Sequence, residues 1–421
     1  MKITQLELHH FRGIQNLTLS FEEPQTVIIG ANGAGKSTIL EALAILLSWI
    51  VARIRHAGAS GRGLQELDIY NDAPFAVIKA IAKGGPTWQL VKVRKGVPKP
   101  HDNSELQAIS SYAKTLQEQL ASSQKNCSIP LFAYYPVNRA VLDIPLRIRQ
   151  THAFTLLEAY EEALTSGANF RQFFEWFRHR EDLENETRRD QATDFTDKQL
   201  TAVRKALKEF LPDFENLRVK RNPLRMIAMK QGSEIRIDQL SDGEKCLMAM
   251  IGDLARRLAI ANPTLDDPLS GEGVVLIDEI ELHLHPAWQR NFIAKLIHVF
   301  PYCQFVLSTH SPQVLGEVPG SCIRILHREE TGEIQCYTPK QALGLDSAEI
   351  LEELMGSSRR DSQTDKVLND IFVLIDQGRF AEAKTTIALL KEKLNGGIPE
   401  MVRAEGLIAM LDSDIEGDNE A

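Results

Sequence analysis

Apolar positions along the chain repeat at two spacings, every second residue or every three to four, and their succession predicts the elements. Residues 2–8 and 17–29 alternate or run apolar and predict strands around a short loop, Phe11-Arg12-Gly13. Residues 74–82 and 88–95 predict a strand pair, because Lys83-Gly84-Gly85-Pro86 between them is a strong turn sequence. Residues 99–128 are polar with helical spacing and read as a mobile insertion, and Leu131 to Val137 as a buried strand. From about Thr151 to Leu211 the spacing is helical, mixing Phe173, Phe174, Trp176 and Phe177 with dense charge of both signs. Strands are expected again at 217–221, 225–230 and 234–237, then a helix at 242–262, a buried strand at 273–278, a helix at 286–299 and a strand at 304–308. Strand–helix–strand succession of this kind predicts a mixed α/β sheet. Beyond about residue 345 only helical spacing remains. Phe380, Ala383, Ile387, Leu390 and Leu394 mark one helix that Asn395-Gly396-Gly397 stops, and Pro399 opens another to about Leu411, a hairpin suited to docking or to plain packing. The last ten residues carry five acids and no base, so a frayed, solvated tail is expected.

Composition changes this picture little. The 421 residues are 43% hydrophobic and 25% charged, ordinary for globular chains and enough for two or three domains. A net charge of −9 excludes a global basic field, so contact with nucleic acid would need local patches: Arg147 and Arg149 near Arg139, or Lys92, Arg94, Lys95 and Lys99. The apolar run Ile39 to Ala52 is interrupted by Glu41, Ser48 and Trp49, so no bilayer span is expected, and the first residues begin a strand rather than a signal peptide. Five cysteines without C-x-x-C spacing fit reduced thiols in a cytoplasmic protein.

The candidate chemistry begins at Gly30-Ala31-Asn32-Gly33-Ala34-Gly35-Lys36-Ser37, a full G-x-x-x-x-G-K-S phosphate loop between an apolar strand and a helix-patterned run from Thr38. Its glycines let backbone N–H groups curl around phosphates and the helix N-terminus adds positive potential. Lys36 is expected at the β- and γ-phosphates of a nucleoside triphosphate, and the Ser37 hydroxyl on Mg²⁺. Val274-Val275-Leu276-Ile277-Asp278-Glu279 reads as a buried strand tipped by two acids at the edge where α/β sheets bind ligands. Asp278 is the candidate Mg²⁺ partner opposite Ser37, and Glu279 the candidate base for the attacking water. Phe305 to His310 repeats the design, with His310 able to hydrogen-bond a γ-phosphate. Leu240-Ser241-Asp242-Gly243-Glu244-Lys245 can be a plain capping box at a helix start or a second phosphate-binding helix N-terminus. The H-x-H of His283 and His285 lacks further ligands at motif spacing, which disfavours zinc.

Taken in order, these segments resemble the ATP-binding-cassette ATPases of the SMC, Rad50, RecF and OLD type over about residues 1–340. The match consists of Walker A at 30–37, a signature at 240–245, Walker B at 274–279, a D-loop-like Glu281 to Pro286, and the switch histidine His310. Phe11-Arg12 is similar to that group's N-F-R segment, whose arginine approaches the nucleotide. The resemblance implies an ABC-ATPase head with a mixed sheet, a short helical insertion and an all-helical C-terminal module. Its domains would be residues 1–150 (Walker A lobe), 151–215 (insertion or short arm), 216–344 (signature, Walker B, switch His) and 345–421. It implies a nucleotide set of Gly30, Ala31, Asn32, Gly33, Ala34, Gly35, Lys36, Ser37, Thr38 and Arg12, with Ser241, Gly243 and Glu244 acting on ATP held by the opposite protomer of a homodimer. The family's Q-loop glutamine is not evident after Val137; Asn138 or Gln150 could replace it. Only about 200 residues separate Lys36 from Ser241, too few for an SMC coiled coil, and the 75 or so residues after the core are helix-patterned, with no Toprim-like nuclease. Tyr134 to Arg139, continuing to Arg147 and Arg149, together with Leu240 to Lys245 and the short arm, is similar to PtuA, the ATPase family of Septu and retron-associated anti-phage systems, over nearly the whole chain. That resemblance implies an HNH nuclease partner of the PtuB kind and, in retron cassettes, a reverse transcriptase with its RNA–DNA product. The competing expectation is a RecF- or Rad50-like DNA-repair ATPase.

Overall fold

A computed structural model describes residues 1–98, 103–122, 127–137, 140–141, 155–165, 167–191, 193–282, 284–357 and 361–418. Contacts divide the chain into two compact units, Met1–Ile350 and Leu351–Ala421.

The centre of the first unit is a six-stranded sheet in the order Ile334–Tyr337, Ile323–Arg328, Gln25–Gly30, Cys303–Ser308, Gly273–Ile277, Leu131–Tyr135. All neighbours run parallel except the edge strand Ile334–Tyr337. The inner strands Val27-Ile28-Ile29, Val274 to Ile277 and Phe305 to Leu307 are fully buried, which is why they read as continuous apolar runs rather than alternating ones. A second, antiparallel sheet holds Ile14–Ser20, Ile3–Phe11, Phe75–Ala82 and Thr87–Val93. Buried Gln304 stitches the two sheets: its carbonyl accepts the Ile3 N–H at 2.7 Å and its amide donates to the Ile3 carbonyl at 2.7 Å. Between the sheets runs the helix Lys36–Arg55, touching strands of both. It is long and apolar enough to cross a bilayer, but 67% of its most apolar window is buried here in the core of this unit.

Several expected elements are corrected. The stretch 17–29 is two strands, since Pro24, which has no N–H to donate, lies between Ile14–Ser20 and Gln25–Gly30. The helix expected at 286–299 is two, Pro286–Gln289 and Phe292–Val299, because Asn291 between them adopts φ 60°. The polar insertion contains a docked helix, Gln107–Ser122, rather than a mobile segment: Gln117 donates to the Arg53 carbonyl at 2.8 Å, and Ile109 and Ala113 are buried. The expected short arm is folded inward. In Phe170–Asp190 the aromatics Phe170, Phe173, Phe174, Trp176 and Phe177 are wholly buried, and Phe173 lies against Gly252 of the helix Asp242–Ala261. The helix Lys198–Phe210 packs on the same partner, and a three-stranded sheet (Phe214–Arg221, Leu224–Lys230, Ser233–Arg236) packs beside them. Burying that aromatic face outweighs what its charged face would gain from extending into solvent.

The second unit packs the helices Ser362–Asp376, Phe380–Leu394 and Pro399–Asp418 around Leu368, Ile371, Ile387, Leu390, Met401 and Ile408. Asn395 in the left-handed conformation (φ 51°) ends the middle helix. The last helix continues to Asp418, past the expected stop at Leu411 and through most of the acidic tail, because no proline interrupts it there.

Candidate active site

Three parallel strands end side by side, in the order Gln25–Gly30, Cys303–Ser308, Gly273–Ile277, with Ile277 opposite Leu307 and Leu307 opposite Val27. The residues that follow them are those singled out by the sequence: the phosphate loop, Ser308 to His310, and Asp278-Glu279. The loop's shape is set by glycine. Gly30, Gly33 and Gly35 take φ of 153°, 79° and 99°, and a side chain at Gly30 would collide with the Leu326 carbonyl at 2.5 Å. The helix begins at Lys36, so its free N–H groups face the loop. The Lys36 ammonium donates to the Gly30 carbonyl at 2.9 Å and the Ala31 carbonyl at 3.1 Å. Burial lowers its pKa, and the nearby charges of Asp278, Glu279 and Glu281 oppose that shift.

The acid-tipped strand and its neighbour are laced together. Ser308 Oγ donates to Asp278 Oδ1 and accepts the Glu279 N–H at 2.8 Å, while the Ile280 N–H donates to the Ser308 carbonyl at 3.0 Å. Glu279 sits on a left-handed backbone (φ 45°), a strained conformation for a residue with a side chain, at the turn where the chain leaves the sheet. Glu281 then accepts from Thr309 Oγ1 at 2.7 Å and from the His310 N–H at 2.5 Å. The Asp278 N–H donates to the Tyr135 carbonyl at 2.9 Å, extending the lacing to the edge strand.

Ser241 caps the helix Asp242–Ala261, and the capping box is complete: Glu244 receives both the Ser241 N–H (3.0 Å) and its hydroxyl (2.9 Å). Glu244 also accepts from Lys230 at 2.5 Å. These contacts outweigh the cost of burial and hold its pKa below the ordinary value. Ser241 and Asp242 are exposed. Among the described residues, no hydrogen bond or ion pair joins Ser241, Gly243 or Glu244 to the phosphate loop of the same chain. Arg12 donates to Asp68 at 2.8 Å and lies 4.0 Å from Glu41, beside a cavity of about 540 Å³ that Arg62 and Leu67 also line, and no hydrogen bond links it to the loop. Asn138, Arg139, Arg147, Arg149, Gln150, Lys99 and His283 lie outside the described residues. Arg94 donates to the Ala73 carbonyl at 3.1 Å and to the Asn71 carbonyl, so its guanidinium braces a turn. His285 accepts the Ala287 N–H at 3.2 Å as a helix cap.

Comparison with known proteins places the chain. A family model described as "AAA domain" matches residues 5–215, and one described as "AAA domain, putative AbiEii toxin, Type IV TA system" matches residues 141–316. "Retron Vc95 probable ATPase" of Vibrio cholerae is 31% identical over 78% of this chain and 74% of its own length. The chain belongs to the family of retron and Septu ATPases. "Retron Ec83 probable ATPase" of Escherichia coli is 28% identical over 90% of this chain and 81% of its own, and "Septu protein PtuA" of Bacillus thuringiensis 24% over 84% of each. Among solved structures, the SmcHead bound to the C-winged helix domain of ScpA aligns with 82% of this chain and all of its own at 16% identity and TM-score 0.43. The protein is a nucleotide-binding ATPase.

Two residues of this ATPase escaped the sequence reading. Ser308 and Glu281 do the lacing, yet each looks ordinary in sequence: a serine ending an apolar strand and an acid after two others. The strand–polar-tip pattern that exposed His310 could have exposed Ser308 as well. A third, Arg328, donates to the Gly33 carbonyl at 3.2 Å and the Gly13 carbonyl at 3.3 Å, and so braces the loop from the neighbouring strand. No local signal marks it, because the contact joins residues almost 300 positions apart.

Proposed function

We propose that this chain hydrolyses ATP as the regulatory subunit of an anti-phage defence complex that controls a separate HNH-type nuclease. The observation that carries the hydrolytic part is the convergence of Lys36, Asp278, Glu279 and the His310 segment on adjoining strand ends, with Ser308 bridging the two carboxylate-bearing residues to the switch strand. Lys36 compensates phosphate charge, and the backbone N–H groups of the loop from Gly30 to Thr38 donate to the phosphate oxygens. The donors beside them, the Ser37 hydroxyl and the Asp278 carboxylate, are the hard oxygens that Mg²⁺ selects. Bound there, Mg²⁺ would neutralise charge developing between the β- and γ-phosphates. Glu279 orients water and accepts its proton as the water oxygen bonds to the γ-phosphorus and the bond to the ADP oxygen breaks. His310 hydrogen-bonds a γ-phosphate oxygen as the charge shifts. Ser241, Gly243 and Glu244 complete the site on the opposite protomer of a two-fold dimer, which fits their exposed helix N-terminus and the lack of contact with their own loop. Arg12 serves the nucleotide from the side of the Asp68 pocket.

The defence assignment rests on coverage. Retron and Septu ATPases align with 78–90% of this chain, whereas RecF of Acholeplasma laidlawii aligns with 27% of it, so the repair reading is the weaker one. Two measurements test the proposal. Glu279→Gln should still bind ATP while turnover falls at least about 10²-fold, as expected for loss of a general base; near-normal turnover would refute the role of Glu279. Co-expression with neighbouring genes should recover a nuclease whose activity changes with nucleotide, and a chain that purifies alone beside no nuclease gene would remove the defence reading.

A further inference from the structure

Glu281 is engaged through both carboxylate oxygens, one accepting from Thr309 Oγ1 at 2.7 Å and the other from the His310 N–H at 2.5 Å. Both oxygens are thus tied to the two residues that follow the switch strand. The contact is also one link of a longer chain. The Ser311 N–H donates to Thr309 Oγ1 at 2.9 Å, and Ser311 Oγ donates to Gln289 at 2.7 Å. The segment that carries His310 is therefore held from the D-loop-like turn, on the same side from which Glu279 emerges. A carboxylate accepting from a backbone N–H is a charge-assisted bond, stronger than a neutral one.

Resting on the catalytic reading of Glu279 and His310, we propose that Glu281 is a positioning residue. It fixes the backbone from which the His310 imidazole departs and so sets the distance between the base and the switch histidine. Glu281 touches no reacting atom in this scheme. Its loss frees Thr309 and His310 to relax while the phosphate loop, which is closed by other contacts, keeps its affinity for ATP. Glutamine can keep one acceptor on the His310 N–H and turn its amide toward Thr309 Oγ1, whereas alanine offers neither.

The test is steady-state ATP turnover by the full chain. Glu281→Ala should lower kcat about 10- to 100-fold with the KM for ATP changed less than about threefold, the signature of an interaction that matters in the transition state. Glu281→Gln should recover part of that loss. In a His310→Ala background, Glu281→Ala should remove little more, since coupled residues are non-additive. Thr309→Val, which deletes one of the two donors and keeps the volume, should give a smaller kcat loss in the same direction. Multiplying losses in the double mutant, a KM rising in step with the fall in kcat, or glutamine no better than alanine would overturn the role. Should His310→Ala and Glu279→Gln themselves turn over normally, the catalytic reading fails. Should both be slow and Glu281→Ala normal, only the positioning role fails.

Discussion

Two charged clusters of the first unit are contrary in design. In the core, Asp253, Arg256 and Arg257 are completely buried; Asp253 accepts from both arginines at 2.7 Å and from the Tyr135 hydroxyl at 3.0 Å. Arg257 also donates to the carbonyls of Ala159 (2.9 Å) and Glu161 (2.8 Å), tying the segment before the aromatic helix to the helix Asp242–Ala261. At the strand ends, Lys36 faces the field of Asp278, Glu279 and Glu281 but spends its hydrogen bonds on neutral carbonyls. Charge in the core is consumed within the unit. Charge at the strand ends is held in place beside the phosphate loop. Tyr135 belongs to both: its hydroxyl serves the core and its carbonyl receives the Asp278 N–H.

The sharpest way to break this contrast is Asp253→Ala. Removing one partner of a buried ion cluster leaves two guanidinium groups uncompensated and should cost about 3–5 kcal/mol in denaturant unfolding. A loss under about 1 kcal/mol would mean the cluster is wetter than its burial indicates. Glu279→Gln is the mirror experiment. Its turnover should fall at least about 10²-fold while its unfolding free energy moves by less than about 1 kcal/mol, and a large stability change would make Glu279 structural. Tyr135→Phe should cost about 1.5–3 kcal/mol, one hydrogen bond to a charged acceptor, with kcat within about twofold of the parent because the carbonyl that meets Asp278 remains. A large kcat loss would show that the core cluster reaches the chemistry. The smallest expected effect is on pH dependence. Burial pushes the Asp253 carboxyl up, but Arg257 and Arg256 outweigh it and leave the pKa below its ordinary value. The stability it contributes is therefore complete above the unfolded carboxylate value near 3.9 and is lost as pH falls through the folded value. Thermal melts of the parent and Asp253→Asn should thus differ by a constant amount from about pH 8 to 5 and converge only below about pH 4. Convergence already at pH 6 would contradict the assignment.

Local chemistry was legible wherever a few consecutive residues specify it. The phosphate loop declares itself because its glycines, lysine and helix start are contiguous, and the strand tips of Asp278 and His310 because an apolar run ends abruptly in polar groups. Periodicity marked residues from about 151 to 211 as helical, but did not give the separate helices Phe170–Asp190 and Lys198–Phe210 and could not say that the aromatic stripe of the first faces the helix Asp242–Ala261. Nor could it detect the break at Asn291, where one residue in a left-handed conformation divides a helix whose apolar spacing continues across it.

What this polypeptide determined by sequence alone is the inventory: a nucleotide loop, two carboxylates, a histidine, and a capped signature helix, each encoded over a handful of neighbouring positions. Tertiary structure decided which of them meet. Ser308 reaches Asp278 across 30 residues, Glu281 reaches His310 across 29, and Arg328 reaches Gly33 across 295, all through strands brought together by parallel pairing. The register of a parallel sheet follows from how its crossovers pack, and no local pattern records that packing.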